Sequence, residues 1–154
     1  MKTTLTVGNV KTLIDNSVVE PSTITAETAK TIVSGVNQQI QLRDYLMGLP
    51  KDNPAENVID FLNVLINYSS PKDLYAVNTV MATFMFEAGL KDEASIILDL
   101  VDYSYPNYSL AKLIRRVISA DWPSSSFATM RNELHDKVIF TLREIQDEEV
   151  ITNG

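Results

Sequence analysis

The sequence predicts an all-α protein, a compact bundle of six to seven helices, and three observations carry that prediction. Apolar residues recur at helical spacing over most of the chain. Proline, glycine and capping residues punctuate those runs at short intervals. No alternating apolar–polar run is flanked by Asn-Gly or Asp-Gly, the mark of a β-hairpin. At 154 residues a single domain over the whole chain is the default, long enough to bury roughly 70 % of its unfolded surface.

The elements follow in order. Within residues 1–20, Val7, Val10, Ile14 and Val18 have helical spacing, but Gly8 and four threonines interrupt them, so this stretch reads as an arm or a weak helix. Thr25 is an N-cap with Glu27 in the first turn, where the helix dipole favours a carboxylate. Ala29, Ile32, Val33, Val36, Ile40 and Met47 form the stripe of one long helix, closed by Gly48-Leu49-Pro50 with glycine as a left-handed cap. Asn53-Pro54-Ala55-Glu56 opens the next helix as cap, first-position proline and capping glutamate, with Val58, Leu62, Leu65 and Ile66 inward. Ser70-Pro71-Lys72-Asp73 repeats that start ahead of Leu74, Val77, Met81, Phe84, Met85 and Ala88, and Gly89 stops it.

Residues 91–103 make a third short helix on Ala94, Ile97, Leu98 and Val101. Pro106-Asn107 breaks the chain and caps residues 108–120, where Leu110, Leu113, Ile114 and Val117 point inward. Trp122-Pro123 and three serines start the last helix, which runs to about Asp147 on Phe127, Met130, Leu134, Val138, Leu142 and Ile145. Residues 148–154 then read as an acidic flexible tail.

One segment has tetratricopeptide-like spacing: Met81-Ala82, Met85, Gly89, Ala94, Leu98, Val101 and Pro106. A shift of 34 residues puts Lys112 and Arg115 where apolar side chains belong, so there is no second copy. A lone hairpin cannot cover both of its faces, which places it inside the bundle rather than in a solenoid.

The same region carries a resemblance. Arg43-Asp44-Tyr45-Leu46-Met47-Gly48-Leu49, residues 82–89, Ala94, and Pro106-Asn107-Tyr108-Ser109-Leu110-Ala111-Lys112-Leu113 are similar to a domain of unknown function found in actinobacteria and their phages, with Trp122-Pro123 near a comparable proline-rich break. The resemblance spans about residues 25–125. It implies a helical fold and an actinobacterial or phage origin, and it implies no activity.

Composition narrows the chemistry. The chain has no cysteine, which removes disulfides, thiolate nucleophiles and cysteine-held metals, and its single histidine removes any site that needs two imidazoles. Its five glycines are too scattered for a phosphate-cradling loop. The formal charge of -7 argues against a nucleic-acid surface. The first ten residues hold no signal-peptide core and no run approaches membrane-spanning length, so the expectation is a soluble cytoplasmic protein.

Few residues remain for function. His135 follows the inward Leu134 and reads as a half-exposed residue at the edge of that stripe. A hydrolase would need it with one of the serines at 124–126 and Asp136, yet those serines already serve as breaker and cap. Asp99 and Asp102 share a helix face, as chelation would require, but one histidine cannot complete a bundle metal site. Asp92 and Glu93 suit a first helical turn, and Asp147, Glu148 and Glu149 suit a solvated tail. Lys112, Arg115 and Arg116 make a small basic face that fits either an acidic partner or a helix C-terminus. Tyr103, Tyr105 and Tyr108, with Trp122 a helix further on, form the densest aromatic signal, suited to a protein interface or to wedging the turn.

The expectation is therefore a non-catalytic protein-interaction protein without cofactor or metal. Its partner surface comprises Tyr103, Tyr105, Tyr108, Lys112, Arg115, Arg116 and Trp122, and a phage-borne gene would imply a host or viral protein as the target. A self-assembling component, joined through Gln38, Gln39 and Gln41 of the long helix, and a hydrolase using His135 are the alternatives.

Overall fold

A computed structural model describes residues 5–153, and it is all-α. Among the described residues there are eight α-helices: α1 (Val7–Val19), α2 (Ala26–Gln38), α3 (Ile40–Met47), α4 (Ala55–Tyr68), α5 (Tyr75–Glu87), α6 (Lys91–Ser104), α7 (Ser109–Ser119) and α8 (Ser124–Asn153). Single 3-10 turns stand at Pro21–Thr23, Leu49–Lys51 and Pro71–Asp73. No helix among the described residues is long and apolar enough to cross a membrane.

The centre of the molecule is α5. Unlike its neighbours it is apolar all round, with Ala76, Val77, Val80, Met81, Ala82, Phe84 and Phe86 buried. Its two buried threonines return their hydroxyls to the backbone, Thr79 to the Tyr75 carbonyl at 2.7 Å and Thr83 to the Thr79 carbonyl at 2.9 Å, so neither is left unpaired. One side of α5 faces a core built from α1 to α4 and Leu142 of α8. The other side, through Ala82 and Phe86, faces a second core of Ala94, Leu98 and Val101 from α6, Leu110, Ala111, Ile114 and Val117 from α7, and Phe127 from α8. The hairpin of α5 and α6 turns at Gly89, whose φ of 83° is the left-handed conformation that glycine adopts without strain.

Helix α8 spans both cores. At 1.5 Å per residue its 30 residues reach about 45 Å. It passes from Phe127 in the second core, along α3, to α1. It ends in a contact the sequence did not suggest: the Glu149 carboxylate accepts the backbone N–H groups of Val7 at 2.7 Å and Gly8 at 3.0 Å. Two of the unpaired donors that open α1 are thereby satisfied by an anion at the positive end of its dipole. Residues 148–153 continue the helix, so the expected flexible tail is corrected here, and Glu149 is a cap rather than a solvated charge.

Other expectations change in register. The weak segment at 7–19 is a full helix that buries Val7, Val10, Ile14 and Val18, while residues 1–4 of the expected arm lie outside the described residues. The long helix over residues 25–47 is broken at Gln39, which is extended at φ -125° and ψ 108°. An unbroken helix would carry Ile40, Arg43 and Met47 inward after Val36. The break re-phases the chain so that Leu42, Tyr45 and Leu46 face the core instead, and Ile40 lies exposed. The two proline starts also shift. Pro54 precedes α4 with its carbonyl taking the Val58 N–H, and Asn53 turns back to the Leu49 carbonyl. Pro71 opens a 3-10 turn that runs to Asp73, so α5 begins only at Tyr75.

Candidate functional site

The end of α6 and the turn into α7 separate the three tyrosines into two roles. Tyr105 and Tyr108 pack with Tyr75 of α5 as a three-ring cluster, with centroids 4.7, 5.2 and 5.1 Å apart and two of the pairs edge-to-face. The Tyr108 hydroxyl accepts a hydrogen bond from Arg43 Nη1 at 3.2 Å, which ties this corner to α3. Asn107, at φ 63°, makes the left-handed turn that brings Tyr108 back over α5. Tyr103 is different: it is 93 % exposed, at the end of α6.

Tyr103 continues a line of outward apolar side chains on α6. Ile96 is 61 % and Leu100 58 % exposed, and with Tyr103 they stand at i, i+4 and i+7. Ala94, Leu98 and Val101 of the same helix are buried, so α6 is apolar on two opposite faces and only one of them is covered. The sequence carried this signal. The inward stripe of Ala94, Leu98 and Val101 masks it, because that stripe alone accounts for a helix.

The basic face is smaller than the spacing suggested. Arg115 is engaged by Asp99 at 2.5 Å and Asp102 at 2.8 Å on α6, and its guanidinium pKa is raised chiefly by the hydrogen bond to Asp99. That pairing corrects the reading of Arg115 as a free cation of the basic face, and it gives Asp99 and Asp102 a role as an arginine clamp. Lys112 and Arg116 are exposed on α7. Lys91, at the start of α6, pairs with Asp121 in the turn after α7, and that contact holds the Asp121 carboxyl below its usual range. Trp122, next in the chain, is half-exposed. Among the described residues no group of three or more His, Asp or Glu could hold a metal ion.

His135 is not a half-exposed edge residue. It is 3 % exposed, while Leu134, expected inward, is 50 % exposed. Phe127 and Leu142 of the expected stripe are buried, but between them Arg131 and His135, rather than Leu134, are the buried positions. The imidazole stacks on Tyr45 at 5.7 Å between centroids, its Nε2 is 3.7 Å from Asp52, and its Nδ1 has no hydrogen-bond partner. Burial lowers its pKa below the ordinary value of 6.5, and Asp52 offsets this only in part. Ser124, Ser125 and Ser126 precede it by nine to eleven residues on the same helix, roughly 14–17 Å along the axis, out of hydrogen-bonding reach. Asp136 points elsewhere, to Lys51 at 3.0 Å. These residues are not brought together as a triad.

Beside His135, the Arg131 guanidinium is almost fully buried. It forks onto both Glu87 carboxylate oxygens at 2.7 Å, donates to the Met47 carbonyl at 2.6 Å, and lies over the Phe84 ring. Leu113 and Leu134, both expected inward, are half-exposed on either side of a groove of about 250 Å³ that also includes Met130 and Val138.

Fold and surface together define a class: a small all-α protein whose polar interior groups lock its helices and whose sixth helix leaves one apolar face open. No protein-family model matches the chain, and no curated protein and no solved structure matches it at a significant level.

Proposed function

We propose that this is a non-catalytic protein-interaction protein, which binds another protein through the outward face of α6 and the adjoining corner. The observation that carries the reading is the row of Ile96, Leu100 and Tyr103, three large apolar side chains exposed in line on a helix whose opposite face, Ala94, Leu98 and Val101, is packed into the core. Single exposed apolar residues are ordinary, whereas a contiguous helical row at i, i+4 and i+7 is the form in which helices meet partners. Tyr103 and Trp122 add the residue types that concentrate binding energy at interfaces. Lys112 and Arg116 supply exposed cations on the next helix, while Tyr105, Tyr108 and Arg115 support the corner from within. For a phage-borne gene the target would be a host or viral protein.

The test compares the wild-type chain with an Ile96→Asp/Leu100→Asp variant as baits in lysate of the cells that make the protein. The reading predicts at least one protein retained by wild type and lost by the variant, with equal circular dichroism for the two baits. An identical retained set for both overturns it.

A further inference from the structure

We infer that the outward face of α6 receives a basic amphipathic helix of a partner protein. The partner's apolar side would lie along Ile96, Leu100 and Tyr103, with its lysines and arginines against the carboxylates that flank them. This rests on the reading of that face as a protein-binding surface and names the chemistry of what binds there.

Successive residues of a helix are rotated by about 100°. With Ile96 as origin, Leu100 stands roughly 40° to one side and Tyr103 roughly 20° to the other. Asp92 and Asp99 fall roughly 40° and 60° away on the Tyr103 side, and Glu93 roughly 60° away on the Leu100 side. Ala94, Leu98 and Val101 lie on the opposite, buried side. The face is therefore an apolar ridge flanked by Asp92 and Asp99 on one side and by Glu93 on the other. A helix that packs its own ridge beside this one needs apolar anchors at i, i+3 or i+4, and i+7, and the flanking carboxylates select its charge.

Of these flanking carboxylates, Asp99 is met by one of the protein's own cations, Arg115, while Asp92 and Glu93 are not. Arg115 is engaged by Asp99 and Asp102, Lys91 is engaged by Asp121, and Asp92 and Glu93 make no ion pair among the described residues. The formal charge of -7 extends the same sign over the whole molecule, which steers a cationic partner in and an anionic surface away. A second copy is a poor occupant, because α6 against α6 sets carboxylates beside carboxylates. The one helix of this chain with adjacent cations, α7, has Leu110, Ile114 and Val117 locked in its own core.

The test titrates the ¹⁵N-labelled full chain with a synthetic peptide of roughly 16 residues, long enough to hold a helix, with leucines at i, i+4 and i+7 and lysines on both flanks. Comparison probes are a scrambled peptide of equal composition, the same pattern with glutamate for lysine, and vesicles of phosphatidylcholine and phosphatidylserine. The expected result is amide shift changes concentrated in residues 92–104 with the patterned basic peptide alone. The affinity should fall about tenfold or more in Leu100→Asp and weaken with salt. An Asp92→Lys/Glu93→Lys variant should turn the preference toward the glutamate peptide. Equal binding of the scrambled peptide, shifts mapping elsewhere, preference for vesicles, or dimerisation through α6 overturns the inference. If no basic helix binds while the Ile96→Asp/Leu100→Asp bait still loses a partner, this inference falls and the protein-binding reading stands. If the bait loses nothing, both fall.

Discussion

The imidazole of His135 occupies the space that a side chain on residue 48 would need: a Cβ built on Gly48 would lie 1.7 Å from Nδ1. Gly48 has φ -96°, a conformation open to any residue, so its lack of a side chain rather than left-handed freedom is what α3 and α8 require there. Gly48→Ala should therefore cost about 3 kcal/mol or more of stability, at or beyond the upper end of overpacking penalties. Urea unfolding measures this. In a His135→Ala background the added penalty of Gly48→Ala should largely vanish, because the two sites share one space. Equal penalties in both backgrounds would contradict the packing described.

The same burial sets a pH dependence. The folded-state pKa of His135 lies below the unfolded value of about 6.5, so the unfolded chain binds the proton more readily. Its contribution to stability is complete above about 6.5 and is lost as the pH falls from there through the folded pKa. Asp52 and Asp136 oppose the shift, while Lys51 and Arg131 reinforce it. The slope of unfolding free energy against pH between about 7 and 5.5 should be positive, and His135→Asn should flatten it. An unchanged slope in that variant would rule out this source.

Arg131 and Glu87 make the most buried ion pair among the described residues, with side chains 8 % and 13 % exposed. Removing one partner leaves the other charge buried and alone. Glu87→Ala should cost about 3–5 kcal/mol. Arg131→Met/Glu87→Leu should recover most of that loss, since an apolar replacement leaves no unpaired charge. Thermal and urea unfolding of the three proteins separate these outcomes, and a double variant no better than Glu87→Ala would be contrary to this view.

Glu149 holds the first amides of α1. Glu149→Ala should cost about 1 kcal/mol and speed hydrogen exchange at Val7 and Gly8, whereas Glu148→Ala should stay within about 0.5 kcal/mol. Equal effects of the two changes would return this segment to the role of a solvated tail.

The sequence disclosed what depends on local pattern. Val7, Val10, Ile14 and Val18, the Gly89 turn and the inward face of α6 all follow from spacing and from residue-specific backbone freedom. It concealed what depends on packing between distant segments. Gln39 has no breaking tendency of its own; the chain breaks there because only a re-phased α3 can bury Leu42 and Leu46. His135 and Leu134 exchanged places because a cavity over Gly48, more than eighty residues away in sequence, accepts a flat ring, and a hydropathy pattern cannot register a missing Cβ. At the surface, the tyrosines stand out in the sequence, whereas the outward Ile96 and Leu100 are hidden beside the inward stripe of α6, and the pairing of Arg115 depends on carboxylates that sit on another helix.

The claim on which the functional reading turns is that α6 presents its outer face to another protein. A photo-crosslinking amino acid placed at Leu100 tests it inside the producing cell, with the same group at Phe140 of α8, which is equally exposed, as the control. The structure-based reading predicts a discrete crosslinked protein from position 100 and none of that mass from position 140. The same products from both positions, or none from position 100, would contradict it.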